Sequence, residues 1–170
     1  MAATQEPNTS LFALSSPRWR ELSQAYGSAE DIPRLLEALA SAQQAHERAE
    51  IWFGIWATLC PAGRVFSAAY AAVPHLLIIT QPEALDERIA AMHIAVSVEL
   101  ARHDPGAPAI PDDVVASYAT AIESLPARVA ELSAVAWDAT SAQILAAALL
   151  VGKRQPALAR TVLDIASAAP

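Results

Sequence analysis

Trp52-Phe53-Gly54-Ile55-Trp56-Ala57-Thr58-Leu59-Cys60-Pro61-Ala62-Gly63-Arg64-Val65-Phe66-Ser67-Ala68-Ala69-Tyr70-Ala71-Ala72-Val73-Pro74-His75-Leu76-Leu77 is the stretch on which the fold turns. Before the break, Ile51, Trp52, Ile55, Trp56 and Leu59 recur at i, i+1, i+4, i+5 and i+8, which is one face of a helix over about 46–59. Pro61-Ala62-Gly63 interrupts it. After the break, a helix over about 64–80 is apolar on nearly every side and is expected to be central. Pro74 is expected to kink or split it. Ser67, Ala68, Ala71 and Ala72 let a neighbouring helix come close, with Tyr70 and His75 placing polar tips at the edge of that packing. Val65–Pro82 is a run of 18 residues without a charge, the lower edge of membrane-spanning length. Pro74, His75, Ser67 and Gln81 interrupt that run, so a buried helix of a helical stack is the better reading.

Working outward, residues 1–14 read as a flexible lead-in and 15–170 as a single helical domain. Ser15-Ser16-Pro17 offers a helix start, with Pro at the first helical position, and the helix is expected to run through Trp19, Leu22 and Tyr26 to Gly27. A second begins near Ser28–Asp31 and carries Ile32, Leu35, Leu36 and Leu39. Downstream, Pro82 is expected to start a fifth helix reaching about His103, with Leu85, Ile89, Met92, Val96 and Leu100 facing inward. Asp104–Pro111, with three prolines and a glycine, is a loop. Asp112 and Asp113 should lie in the first turn of a sixth helix to about Leu132, which Pro126 could divide, and two more helices cover 139–151 and 156–168. No stretch shows sustained strand alternation. The expected fold is all-α: about eight helices in four antiparallel hairpins. They would stack as a short HEAT/armadillo-like right-handed solenoid, with an irregular helical bundle as the alternative.

Lys and Arg number 11 and Asp and Glu 18, a net charge of −7, and 54 % of the residues are hydrophobic, which excludes a disordered chain. No basic patch marks a nucleic-acid binder; Lys153-Arg154 is the only adjacent basic pair. Residues 1–113 carry 14 acids against 7 bases, whereas 114–170 carry 4 of each. The negative field therefore lies on the first two-thirds, where it either serves solubility or faces a basic partner. Cys60 is alone, so no intramolecular disulfide forms, and Met1–Ser10 does not read as a signal peptide. The expected compartment is the cytoplasm, with no membrane and no nucleic acid as partner.

The segment Trp52–Leu77 resembles a motif of bacterial HEAT-like helical repeat proteins: a Trp-containing helix, a short glycine turn, and a small-residue helix ending in Ala-Val-Pro-His-Leu. Many such relatives carry a His-Gln-Gly turn where this chain has Pro61-Ala62-Gly63, so any polar role of that His and Gln is absent or altered. The resemblance implies a protein-binding module, of a kind that includes immunity proteins neutralising a bacterial toxin.

The residues themselves carry little catalytic pattern. Glu99 and His103 stand i, i+4 and could share a metal, but no HExxH or Cys/His spacing supplies further ligands. Capping the negative helix end is the plainer role for His103. No phosphate-binding glycine loop and no Gly-x-Ser-x-Gly elbow is present. The leading expectation is a non-enzymatic module without cofactor or metal, an immunity protein occluding the active site of a toxin with a basic surface. Glu83, Asp86, Glu87, Asp104, Asp112 and Asp113 would supply steering and rim contacts, and Trp52, Trp56 or Trp137 the anchors. For Trp52 and Trp56, at i and i+4 on one helical face, core is the first reading and a partner-facing anchor the second. The rivals are a helical-bundle enzyme or metal protein using Glu99, His103 and His93, and a self-associating structural scaffold built on Ala-rich faces.

Overall fold

The computed structural model describes residues 11–80 and 84–167. The protein is mostly helical (68 %), and the all-α expectation holds. Among the described residues there are seven α-helices: α1 Ile32–Ser41, α2 Ala45–Leu59, α3 Ser67–Ile79, α4 Leu85–Ala101, α5 Val115–Glu131, α6 Ala139–Gly152 and α7 Pro156–Ser167.

The expected first helix is replaced. Ser16 does cap a helical turn, its side chain accepting from the Arg18 amide, but that turn is a 3-10 helix, Pro17–Glu21. The chain then extends at Leu22 and forms a small antiparallel hairpin of β1, Ser23–Gln24, and β2, Gly27–Ser28. Gly27 takes φ +128°, a conformation that closes the turn and that other residues rarely adopt. The hairpin's polar groups are satisfied from outside: Ser67 Oγ on α3 accepts from the Ser23 amide at 2.8 Å, and Thr58 O accepts from the Ala25 amide at 3.0 Å. Tertiary partners thus override the helical pattern of Trp19, Leu22 and Tyr26. The packed chain also starts earlier than residue 15. Phe12 is buried edge-on against Trp19, and its carbonyl meets His75 Nε2 at 2.8 Å. The rest of the expected lead-in, residues 1–10, lies outside the described residues.

The expected last hairpin, α6 with α7, is formed, but the earlier pairings differ from the expected ones. α1 packs on α2, α3 on α4 and α5 on α6, whereas α2 with α3 and α4 with α5 touch far less. α3 also packs on α1 and α5, and α4 on α6, so the three pairs stack side by side with α7 closing on α6. With the first expected helix absent, α1 takes α2 as its partner, and α6 packs on α4, α5 and α7 alike. α3 is central as expected, with every residue from Ala68 to Leu77 buried.

Neither internal proline divides its helix; α3 runs through Pro74 and α5 through Pro126. Lacking an N–H, Pro126 leaves the Ile122 carbonyl without its usual helical donor. Gly152 of α6 lies over this point, and a Cβ there would come within 2.3 Å of Pro126 Cδ. Pro61-Ala62-Gly63 is a turn, as expected, with Ala62 and Gly63 both at positive φ. α4 begins at Leu85 instead of Pro82, and Gln81, Pro82 and Glu83 lie outside the described residues. Asp112 and Asp113 fall in a turn ahead of α5 instead of in its first turn. No helix of the described residues is long and apolar enough to cross a membrane.

Candidate functional site

The acidic residues singled out from the sequence separate into bound and unbound sets. Glu87, in the first turn of α4, is held by Arg48 of α2 through both carboxylate oxygens. Arg48 Nη1 also donates to Leu39 O at 2.6 Å and Ala42 O at 2.9 Å, satisfying carbonyls at the end of α1. One buried guanidinium therefore ties three helices, and that hydrogen-bonded pairing holds Glu87 below its usual carboxylate range. Glu87 is a joint and not a rim charge. Asp104 pairs with Arg160 of α7 at 2.9 Å and Asp113 with Arg18 at 2.7 Å, so both are partly neutralised within the chain. Glu83 is outside the described residues.

Asp86 and Asp112 are exposed and, among the described residues, carry no ion pair; the same holds for Glu47 and Glu50 on α2. Of the tryptophans, Trp52 is buried in the core cluster, where it cannot anchor a partner without unfolding the helix pair. Trp56 is half-buried, edge-on to His93 with ring centroids 4.9 Å apart. Trp137 is partly exposed and donates its indole N–H to Leu132 O at 3.0 Å. Phe53 stands free at 77 % exposed, as does Tyr26 at the turn between β1 and β2. Phe53 lies one residue, or about 100°, off the Trp52/Trp56 stripe and so faces away from the core. Glu50 precedes it by three residues and shares its face.

Glu99 and His103 do come together, in a setting the sequence did not disclose. Glu99 is 7 % exposed, and its Oε2 accepts from Tyr118 Oη at 2.9 Å and from Arg102 Nε at 2.6 Å. Its Oε1 faces His103 Nε2 at 3.5 Å. These groups line a cavity of about 430 Å³ where the end of α4, the middle of α5 and the α6–α7 turn meet. Glu123 and Arg154, paired at 2.8 Å, line the same cavity, with Ile110, Val115, Ile122 and Val151 as an apolar wall. Burial and the Glu99 carboxylate push the Tyr118 phenol well above its ordinary value, so it stays a donor. The Glu99 pairing raises Arg102, which stays a cation.

The described residues contain no group of three or more His, Cys, Asp or Glu placed to hold a metal. His93 is spent on Trp56, and burial lowers its pKa. Cys60 is buried, and burial pushes its thiol up to about 11, which leaves it protonated and unreactive at neutral pH. Sequence reasoning missed Phe53, Arg102 and Tyr118. Phe53 could have been found from its angle to the tryptophan stripe; the approach of Tyr118 to Glu99 belongs to tertiary packing. Compared with models of known families, with curated proteins and with solved structures, the chain has no match.

Proposed function

We propose that this protein is a non-enzymatic protein-binding module whose partner is a toxin with a basic surface, neutralised in the cytoplasm by covering its active site. The observation that carries the reading is the outer face of α2, where Phe53 is 77 % exposed beside the exposed acids Glu47 and Glu50. A large exposed aromatic with an acid on its own face and a second acid a turn further back has the composition of an anchor with a steering rim. The Arg48–Glu87 joint brings the start of α4, with the exposed Asp86, against this helix and extends the negative field. The resemblance of Trp52–Leu77 to HEAT-like immunity proteins supports the toxin as the kind of partner. Phe53 takes the anchor role assigned to the tryptophans, and Glu47, Glu50 and Asp86 take that of the paired aspartates.

A growth assay tests this. The product of the neighbouring gene should arrest growth when expressed alone and be harmless with this chain present. The variant Phe53→Ser with Glu47→Lys and Glu50→Lys should fold normally and fail to rescue. Full rescue by that variant would overturn the assigned face.

A further inference from the structure

Independently of the α2 face, we propose that the cavity between the end of α4, the middle of α5 and the α6–α7 turn is a binding site for a small monocarboxylate with a branched aliphatic body. Its volume, about 430 Å³, falls in the range of small-ligand sites, roughly 300–1,000 Å³. The choice of ligand charge rests on which polar atoms are already spent. Glu99 Oε2 has two donors, and Oε1 is faced by His103 Nε2 at 3.5 Å. Glu123 Oε1 is taken by Arg154 Nη2. The buried Glu99 therefore has little left to offer a cationic ligand, and the free Oε2 of Glu123 belongs to a side chain 56 % exposed at the rim.

The arginines do have donors left. Arg102 gives only its Nε to Glu99, so both Nη groups of a planar fork remain available, and the side chain is one-third exposed. Such a fork matches a carboxylate in geometry and charge. The Glu99 contact and the Tyr118 hydrogen bond behind it fix the direction of that fork, so the ligand meets a preorganised donor. With two arginines balancing two glutamates, one added carboxylate is tolerated, and a phosphate dianion is not favoured. The opposite wall of Ile110, Val115, Ile122 and Val151 suits an aliphatic body and offers it no polar partner.

The probe is 4-methylpentanoate, followed by amide chemical shifts of the full chain. Saturable changes are expected at Arg102, His103, Ala119, Gly152 and Arg154. The uncharged isostere 4-methylpentanamide should bind at least about tenfold more weakly, the size of one lost charged hydrogen bond. Arg102→Gln should weaken binding similarly. Ala119 lines the cavity from an exposed position, so Ala119→Trp should fill the space without disturbing the core and abolish binding. Shifts scattered away from the cavity, equal binding of acid and amide, or unchanged binding by Ala119→Trp would each overturn the proposal.

Discussion

Glu87 and Glu99 are both largely buried glutamates of α4, and each is held by an arginine, yet they do opposite things. At Glu87 both carboxylate oxygens and most of the Arg48 donors are consumed, and the recipients are the ends of α1 and α4. Among the described residues no cavity opens beside the pair and only one Arg48 N–H is unspent, so the result is a joint. At Glu99 the arginine contact uses one nitrogen, the second partner is a tyrosine, and a cavity opens in front. Residue types are the same in the two places and both glutamates are largely buried, but Arg48 is buried where Arg102 is one-third exposed. What separates structure from candidate function is the count of donors that remain unspent at the edge of a space large enough for a ligand.

The comparison breaks most readily at the joint. Arg48→Ala strands a buried carboxylate and two helix-end carbonyls, and should cost about 3–5 kcal/mol in denaturant unfolding. A loss under about 1 kcal/mol would place the pair among ordinary surface bridges. Tyr118→Phe removes one donor from Glu99 and should cost less, about 1.5–3 kcal/mol, the range for a hydrogen bond to a charged group. A change as large as that of Arg48→Ala would mean that the Glu99 end is also a joint.

The two regions also bear on pH. Burial lowers His75 and His93 below 6.5, so between that value and their folded pKa the unfolded chain binds more protons. Stability should be full above pH 6.5 and fall as pH drops below it. Glu87, lowered below 4.5, should add a second loss below that pH, and Arg48→Ala should erase this second slope. A flat profile from pH 7 to 5 would contradict the buried neutral histidines. The smallest effect is expected at Phe53→Ser, within about 0.5 kcal/mol, because an exposed side chain leaves folding unaffected.

Legibility followed the range of the interactions. α2, α6 and α7 stand close to where periodicity, Gly152 and Pro156 put them, and the centrality of α3 was plain from Ala68–Leu77 having no polar face. The segment 17–28 was misread because its helical spacing competes with hydrogen bonds to Thr58 and Ser67, far along the chain. The candidate site was legible only in part. Glu99 and His103 are neighbours on one helix turn, so spacing found them. Tyr118 is 19 residues from Glu99 and Arg48 is 39 from Glu87, and no local pattern announces either meeting. The acid excess was visible, but which acids are neutralised within the fold was not.

The proposed function rests on capture of a basic protein by the α2 face. Its most direct test is the association and dissociation rates of this chain with the neighbouring gene's product at low and high salt. Exposed charges are screened beyond about 8 Å at physiological ionic strength. Association should therefore slow as salt rises and slow again in Glu47→Lys with Glu50→Lys, while dissociation changes little. Phe53→Ser should instead speed dissociation, by roughly the 2 kcal/mol or more of an anchor residue. Rates indifferent to salt, with all three substitutions binding as the unaltered chain does, would rule out the α2 face as the capturing surface.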